Sequence, residues 1–142
     1  MASFEKTRQI VETRFFNGKS GNSVLSDIPV FLESREINQP TGSSWIVMSI
    51  DDAGSAVQSF TGDRRISGGV VAFTIYCPHG SGTKRIREIA DSIDSVMSFT
   101  AGDDGIDSTS TLYCQAGNMK RISEDDKGYL SYMVTFRYKL YT

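Results

Sequence analysis

The feature that most constrains how this chain can fold is a strand, a turn and a helix that follow one another without a break over residues 65–98. From Val70 to Cys77 both alternating faces carry mainly apolar, β-branched or aromatic residues, which predicts a strand covered on both sides. Pro78 lacks a backbone donor and ends the strand, and the glycines after it allow a tight turn. Thr83 is then predicted to cap the helix.

The helix of this unit begins where the period of the apolar residues changes, at Lys84. Apolar residues recur at spacings of three and four while charged residues take the opposite side, which predicts a helix lying on a sheet. The apolar set is Ile86, Ile89, Ala90, Ile93, Val96 and Met97. Burial of each large side chain contributes roughly 1.5–3 kcal/mol before entropy is subtracted, so packing outweighs local propensity here.

Another helix and further strands are predicted on either side of this unit. A first helix is expected over residues 3–16, capped by Ser3 and stopped by Asn17–Gly18. Its apolar stripe would consist of Phe4, Thr7, Ile10, Val11 and Phe15. Strands are predicted over IPVFLES, WIVMSI, STLYCQAGN and residues 129–141. Apolar and polar residues alternate most clearly in the last of these. Pro29 indicates an edge position for the first of these strands.

The order α-β-β-β-α-β-β predicts an α+β fold in one domain that spans residues 1–142. Two helices would pack on a five-stranded sheet that is mainly antiparallel or mixed. Residues 51–69 lack helical period and lie between strands, so they predict a long hairpin arm between the second and third strands. Residues 119–128 are expected to form a charged turn. The connection through the second helix could make its two strands parallel or antiparallel.

Composition excludes several classes of protein. The chain has 15 basic and 17 acidic residues without a basic block, so duplex nucleic-acid binding is not expected. No apolar stretch approaches the ~20 residues of a membrane span, and the N-terminus lacks the apolar region of a signal peptide. A cytoplasmic location follows, in which Cys77 and Cys114 would be reduced and buried. Whether the two cysteines touch is left open.

Catalytic and metal-binding patterns are mostly missing. His79 is the single histidine and lies in the turn after Pro78. We interpret it as an exposed loop residue. A catalytic or metal site made of Cys77 and His79 is less favoured, because no third residue of such a site is evident. Two cysteines and one histidine at unrelated spacings do not match a zinc site. Asp103, Asp104 and Asp107 suggest calcium, but Gly105 stands where an oxygen ligand is needed. We therefore expect no enzyme, no cofactor and no metal.

The GSGT sequence at residues 80–83 precedes a helix and could hold an anion, because helix N-termini bind anions. A turn followed by a helix cap explains it more simply. A small module that binds an anion or another ligand remains an alternative function, which thermal shifts with phosphates or nucleotides would detect.

The pattern as a whole resembles the tail-terminator proteins of long-tailed bacteriophages. The segments that carry the resemblance are IPVFLES, WIVMSI, RISGGVVAFTIYCP, GSGT, IREIADSIDSVMSF and the aromatic C-terminal strand. The most telling piece is Gly69–Phe99, where strand, proline, Gly-x-Gly-Thr and helix follow one another without insertion. The resemblance covers nearly the whole chain, and its motifs are loose and carry no catalytic signature.

The resemblance implies a subunit of a ring, typically a hexamer, on the end of the completed tail tube. Such a ring stops polymerisation of the major tail-tube protein and offers a surface to the neck or head-completion proteins, while DNA passes through its lumen without specific binding. The protein would then be found at the head-proximal end of the tail in the virion, and in the host cytoplasm during assembly. Another tail or neck component, such as a tail-tube or head-completion protein, is the nearest alternative.

Charged residues in the predicted loops are candidates for contacts within such an assembly. The residues expected at an interface are basic: Arg64, Arg65, Lys120 and Arg121. The competing interpretation is that they are solvated loop charges. The residues expected to face the lumen are acidic and would repel passing DNA: Asp51, Asp52, Asp103, Asp104 and Asp107.

Overall fold

The structure is a computed structural model that describes residues 4–32, 42–57, 65–78, 82–98, 101–102, 111–124 and 129–141. The helices are α1 (Phe4–Ser20) and α2 (Gly82–Met97). The strands are β1 (Val30–Leu32), β2 (Trp45–Val57), β3 (Arg65–Pro78), β4 (Ala101–Gly102), β5 (Thr111–Cys114), β6 (Asn118–Glu124) and β7 (Tyr129–Tyr141). The predicted α+β class, with both helices packed on a mixed sheet, is confirmed. The sheet has seven strands where five were predicted, because β4 and β6 join it.

The strands form one sheet in the order β1-β2-β3-β7-β5-β4, with β6 also paired to β7. Strands β5 and β6 lie end to end along the same edge of β7, because Cys114 pairs with Tyr138 and Asn118 pairs with Thr135. The sheet is therefore six strands wide. Both β3 and β5 run antiparallel to β7, so they are parallel to each other and α2 is a crossover between them. This answers the question that the sequence left open.

The predicted long hairpin between the second and third strands is present. Strands β2 and β3 pair from Trp45–Tyr76 out to Val57–Arg65, with a β-bulge between Asp52 and Gly54. Strand β1 lies at the sheet edge, as the position of Pro29 suggested. It runs parallel to β2.

Three local predictions were wrong. Residues 118–124 form strand β6 and not a turn, because pairing with the long strand β7 outweighs their charged composition. Helix α1 continues past Asn17–Gly18 to Ser20, and a Cβ on Gly18 would clash with Val96 of α2, so this glycine permits close helix packing. Thr83 lies inside α2, which begins one residue earlier.

The core lies between one face of the sheet and the two helices. The ring of Phe15 from α1 packs 4.6 Å from that of Phe73 on β3, which in turn lies 5.8 Å from Phe136 on β7. The apolar positions predicted for α2 and the inward positions predicted for β7 are buried or partly buried in this cluster. Phe4 is the exception on α1, since it is 77% exposed.

The opposite face of the sheet is covered less than the sequence predicted. Val71, Phe73, Ile75 and Cys77 are buried, whereas the alternating residues from Val70 to Tyr76 are only half-buried. On this second face the indole of Trp45 stacks on the ring of Tyr76 at 4.0 Å and meets Phe31 edge-on at 5.9 Å. These aromatic contacts cover the start of β2 on the second face.

Polar contacts attach α1 to β5 and α2 to the link between β5 and β6. The buried guanidinium of Arg14 donates to the carbonyl oxygen of Leu112 on β5 at 2.9 Å. The Asp94 carboxylate of α2 accepts from the backbone nitrogen of Gly117 at 3.1 Å and from Ser98 Oγ at 2.5 Å. These bonds hold the short link between β5 and β6 against the helices.

Candidate functional site

A half-open pocket of about 320 Å³ lies between the first turns of α1 and the edge formed by β1 and β2. Its apolar residues come from the two strands and its charged residues mainly from the helix. The lining consists of Phe4, Glu5, Arg8, Glu12, Leu32, Met48, Ile50 and Asp52. No sequence pattern had marked this pocket.

Helical spacing explains the charged side of the pocket. Phe4, Arg8 and Glu12 are four residues apart, so they lie above one another on the same face of α1. The Arg8 guanidinium binds the carboxylates of both Glu5 and Glu12. The hydrogen bond from Arg8 holds the pKa of Glu5 below its usual value, and the same bond raises the pKa of Arg8. Three carboxylates and one guanidinium line the pocket, so it remains acidic.

Asp52 reaches the pocket from β2 through an unusual arrangement across the sheet. The Tyr138 hydroxyl of β7 passes over β3 and donates to Asp52 Oδ1 at 2.7 Å. Gly69 of β3 makes this possible, because a Cβ there would lie 2.6 Å from Tyr138 Oη and would clash with the carbonyl of Asp51. Burial, together with the neighbouring Asp52, raises the pKa of Tyr138. Asp52 Oδ2 has no partner among the described residues.

Of the acidic residues predicted to face a lumen, the two that the structure describes lie on opposite faces of the sheet. Asp51 and Asp52 are both exposed, but strand alternation directs them to opposite faces of the sheet, with Asp51 opposite Val70 and Asp52 opposite Gly69. Asp52 therefore belongs to the pocket and Asp51 to the second face. Asp103, Asp104 and Asp107 lie outside the described residues. A lumenal role for these five residues stays a prediction.

The basic residues predicted at an interface occupy two places. Arg65 is the first residue of β3 and pairs with Val57 at the described end of the hairpin, while Arg64 lies outside the described residues. Lys120 and Arg121 are exposed on β6, opposite Met133 and Tyr132 of β7, and strand alternation directs them to opposite faces. Their role in an interface stays a prediction.

The cysteines are reduced and far apart. Cys77 is opposite Leu130 and Cys114 is opposite Tyr138, which places them eight residues apart along β7. That separation is roughly 26 Å at about 3.3 Å per residue, so a disulfide between them is geometrically excluded. Ser44 Oγ donates to Cys77 Sγ at 3.2 Å, and burial raises the pKa of the Cys77 thiol.

The other features singled out in the sequence give no site in the part of the chain that the structure covers. His79 and the first two residues of the GSGT turn, Gly80 and Ser81, lie outside the described residues. Among those that are described, no three metal-ligating side chains come together, and neither helix is long and apolar enough to cross a membrane. The acidic pocket is therefore the best-defined site, and it can hold a positively charged group that also has an apolar part.

Comparison with known proteins shows the fold of the chain but not its family. No protein-family profile and no curated protein sequence matches it. One solved structure, designated only by a sequence identifier, is 15% identical with a TM-score of 0.72, over 99% of this chain and 96% of its own. Another, from the "Virion of native gene transfer agent (GTA) particle", is 7% identical with a TM-score of 0.67, over 99% of this chain and 100% of its own. The fold is thus shared along the full length of both chains.

Proposed function

We propose that the chain is a structural subunit of a phage-like virion, and more specifically a tail terminator. In this role a ring of subunits, six by the family resemblance, caps the tail tube, stops tail polymerisation and joins the tail to the head or neck. The observation that carries the proposal is the full-length likeness to a chain from a gene transfer agent virion. In the virion the protein would lie at the head-proximal end of the tail, and during assembly it would be found in the host cytoplasm.

The described geometry supports a ring subunit in two ways. A head-to-tail ring needs two different surfaces on each copy, one that projects and one that receives. Past the pocket, the β2–β3 pair extends to Val57–Arg65 beside the end of β7, and this end of the sheet would supply one of the two surfaces. The pocket beside β1, at one edge of the sheet, supplies a receiving surface.

The partners of such a ring would be other copies of the chain, the major tail-tube protein and a neck or head-completion protein. DNA would pass through the lumen without specific binding. Acidic residues on the inner wall would keep DNA from adhering, and the candidates are Asp51, Asp52, Asp103, Asp104 and Asp107. If so, charge reversal of Asp103 and Asp104 should slow DNA ejection, and unchanged ejection would count against a lumenal position.

Addition of the purified protein to growing tail tubes tests the capping function. We expect tubes to stop elongating once the protein is added, with a ring visible on one end by negative-stain microscopy. A tail-tube protein would instead polymerise alone into open stacks, since its contacts do not close. Tubes that elongate at an unchanged rate, with bare ends, would contradict the proposal.

A ligand-binding module is a weaker second candidate. The described pocket is acidic, so it disfavours phosphate or another anion. A thermal shift on addition of phosphates or nucleotides would support this alternative, with the turn that precedes α2 as the binding site.

A further inference from the structure

We propose that the sheet face opposite the helices binds the phosphate backbone of duplex DNA, weakly and without reading its sequence. The binding surface is a basic patch that consists of Arg137, Lys139 and Tyr141 on β7, Tyr113 on β5 and Lys120 on β6. This role deepens the proposed function and rests on it for the choice of DNA as the ligand, because it names the face of the subunit that passing DNA would meet. Tube capping does not require it.

Strand alternation along β7 brings the first part of the patch together. Every second residue from 132 to 140 is buried in the core cluster. Arg137, Lys139 and Tyr141 alternate with these positions, so they lie on the other face of the sheet, where all three are exposed. Successive members are roughly 6.6 Å apart along the strand. Because buried residues separate them, no block of basic residues marks the patch in the sequence.

Cross-strand pairing adds the other members of the patch. Tyr113 on β5 is opposite Lys139, so its half-buried side chain lies on the same face. Lys120 on β6 is opposite Met133, which places it on this face too, and it is exposed. On the other side of Lys139 the cross-strand residue is Gly68, which has no side chain to cover the lysine. The patch is therefore accessible to a large ligand.

The positive charges of the patch are not neutralised within the described part of the chain. There, Arg137 and Lys139 make no hydrogen bond or ion pair through their side chains. Asp51 is the acidic residue of β2 on this face, and Val70 of β3 lies between it and Arg137. Two strand spacings separate the two charges, or roughly 10 Å. Asp51 therefore weakens the attraction for an anion without cancelling it.

The chemistry of the patch suits a row of phosphates. Lysine and arginine neutralise phosphates and release the counterions of DNA, which gives binding that does not depend on sequence. Tyrosine hydroxyls also donate to phosphate oxygens. Because the cations are few and Asp51 is close, we expect weak contacts that let DNA move past the subunit.

Fluorescence anisotropy of a short labelled DNA duplex tests the patch. For the wild type we expect a dissociation constant on the order of 10⁻⁴ M at physiological salt, which decreases as the salt is lowered. The double variant Arg137→Gln/Lys139→Gln should weaken binding about tenfold and make the slope of log K against log salt shallower by about 1.8, or about 0.9 per lost contact. Lys84→Gln/Arg87→Gln is the matched control, because it removes the same charges from exposed positions on α2. Unchanged urea midpoints would show that both variants are folded.

The difference between the two double variants decides the outcome. Equal weakening by both would overturn the patch, because net charge alone would then explain the binding. A wild type that caps tail tubes but does not bind the duplex would overturn DNA binding and leave the capping function standing. If assembly also weakened in the patch variant, an acidic protein would be the ligand instead of DNA. Patch-dependent DNA binding by a protein that leaves tubes uncapped would support the patch and contradict the capping function.

Removal of the opposing charge gives an independent test with the opposite sign. Asp51→Asn takes away a negative charge roughly 10 Å from Arg137 and should tighten DNA binding about twofold at low salt. Asp91→Asn is its control, since Asp91 is also exposed but lies on α2, and it should leave the affinity nearly unchanged. Equal effects of the two variants would overturn the assignment of DNA to the face that carries Asp51.

Discussion

The β2–β3 pair has different surroundings at its two ends. Under the helices, Met48 and Phe73 are paired and both fully buried. At Asp52, just before the bulge, the cross-strand neighbour is Gly69, and a tyrosine hydroxyl occupies the space that a side chain would need. The same two strands thus change within a few residues from building the core to carrying an exposed carboxylate at Asp52.

The core end should be the most sensitive to substitution. Ile93 of α2 is fully buried in the apolar cluster, so Ile93→Asp would place an unpaired charge there. We expect a loss of about 4 kcal/mol or more, enough to unfold the chain or leave it molten. Near-ultraviolet circular dichroism should lose its signal. A native spectrum with an unchanged urea midpoint would contradict the assignment of α2 to the core.

The junction between the two ends should tolerate one glycine replacement but not the other. A Cβ on Gly69 would clash with Tyr138 and with the Asp51 carbonyl, whereas a Cβ on Gly68 would lie 3.5 Å from the carbonyl oxygen of Tyr138, an ordinary contact. We expect Gly69→Ala to cost about 2–3 kcal/mol and Gly68→Ala less than about 1 kcal/mol in urea unfolding. Similar losses for both variants would mean that Tyr138 does not cross the sheet at this point.

The hydroxyl that links β7 to β2 should contribute less. Tyr138→Phe removes the bond to Asp52, and we expect a loss of about 0.5–1.5 kcal/mol near neutral pH. The folded protein raises the pKa of Tyr138, first through burial and then through Asp52. The stabilisation is therefore fully present below the unfolded pKa of about 10 and is lost as pH rises above it.

The pH dependence of that difference can be measured directly. Urea unfolding of the wild type and of Tyr138→Phe between pH 7 and pH 11 should show the wild-type advantage shrinking above about pH 10. The phenylalanine variant is its own control, because it lacks the titrating group. A difference that stays constant with pH would show that the hydroxyl is not held in its neutral form by the fold.

The smallest effect on folding is expected beside this junction, at the exposed start of α1. Phe4 is 77% exposed, so Phe4→Ala should change the free energy of unfolding by no more than about 0.5 kcal/mol. Urea unfolding would measure the change. A loss comparable to that of Gly69→Ala would contradict the exposed position of Phe4.

The sequence predicted those parts of the fold that depend on strong local patterns. The apolar spacing from Ile86 to Met97 and the alternation in β7 both correspond to buried faces, because these patterns match one period over many residues. The edge position of β1 followed from Pro29. By contrast β6 was missed, since its charged residues alternate over only a few positions and its strand is specified by β7.

Most of the candidate site could not be predicted from the sequence. Glu5, Arg8 and Glu12 show helical spacing that could have indicated an ion-paired stripe, but nothing in their pattern placed it beside β2. The Tyr138–Asp52 bond joins residues 86 positions apart, and only the glycine at position 69, in the middle of a strand, hinted at close approach. Such contacts depend on sheet order, which single-strand patterns do not contain.

Light scattering of the purified protein, combined with negative-stain images, tests the central claim most directly. We expect closed rings with a mass of about six times the 15.7 kDa chain, formed alone or on the ends of tail tubes. Open filaments of indefinite length, or a monomer that leaves tube ends bare, would contradict it.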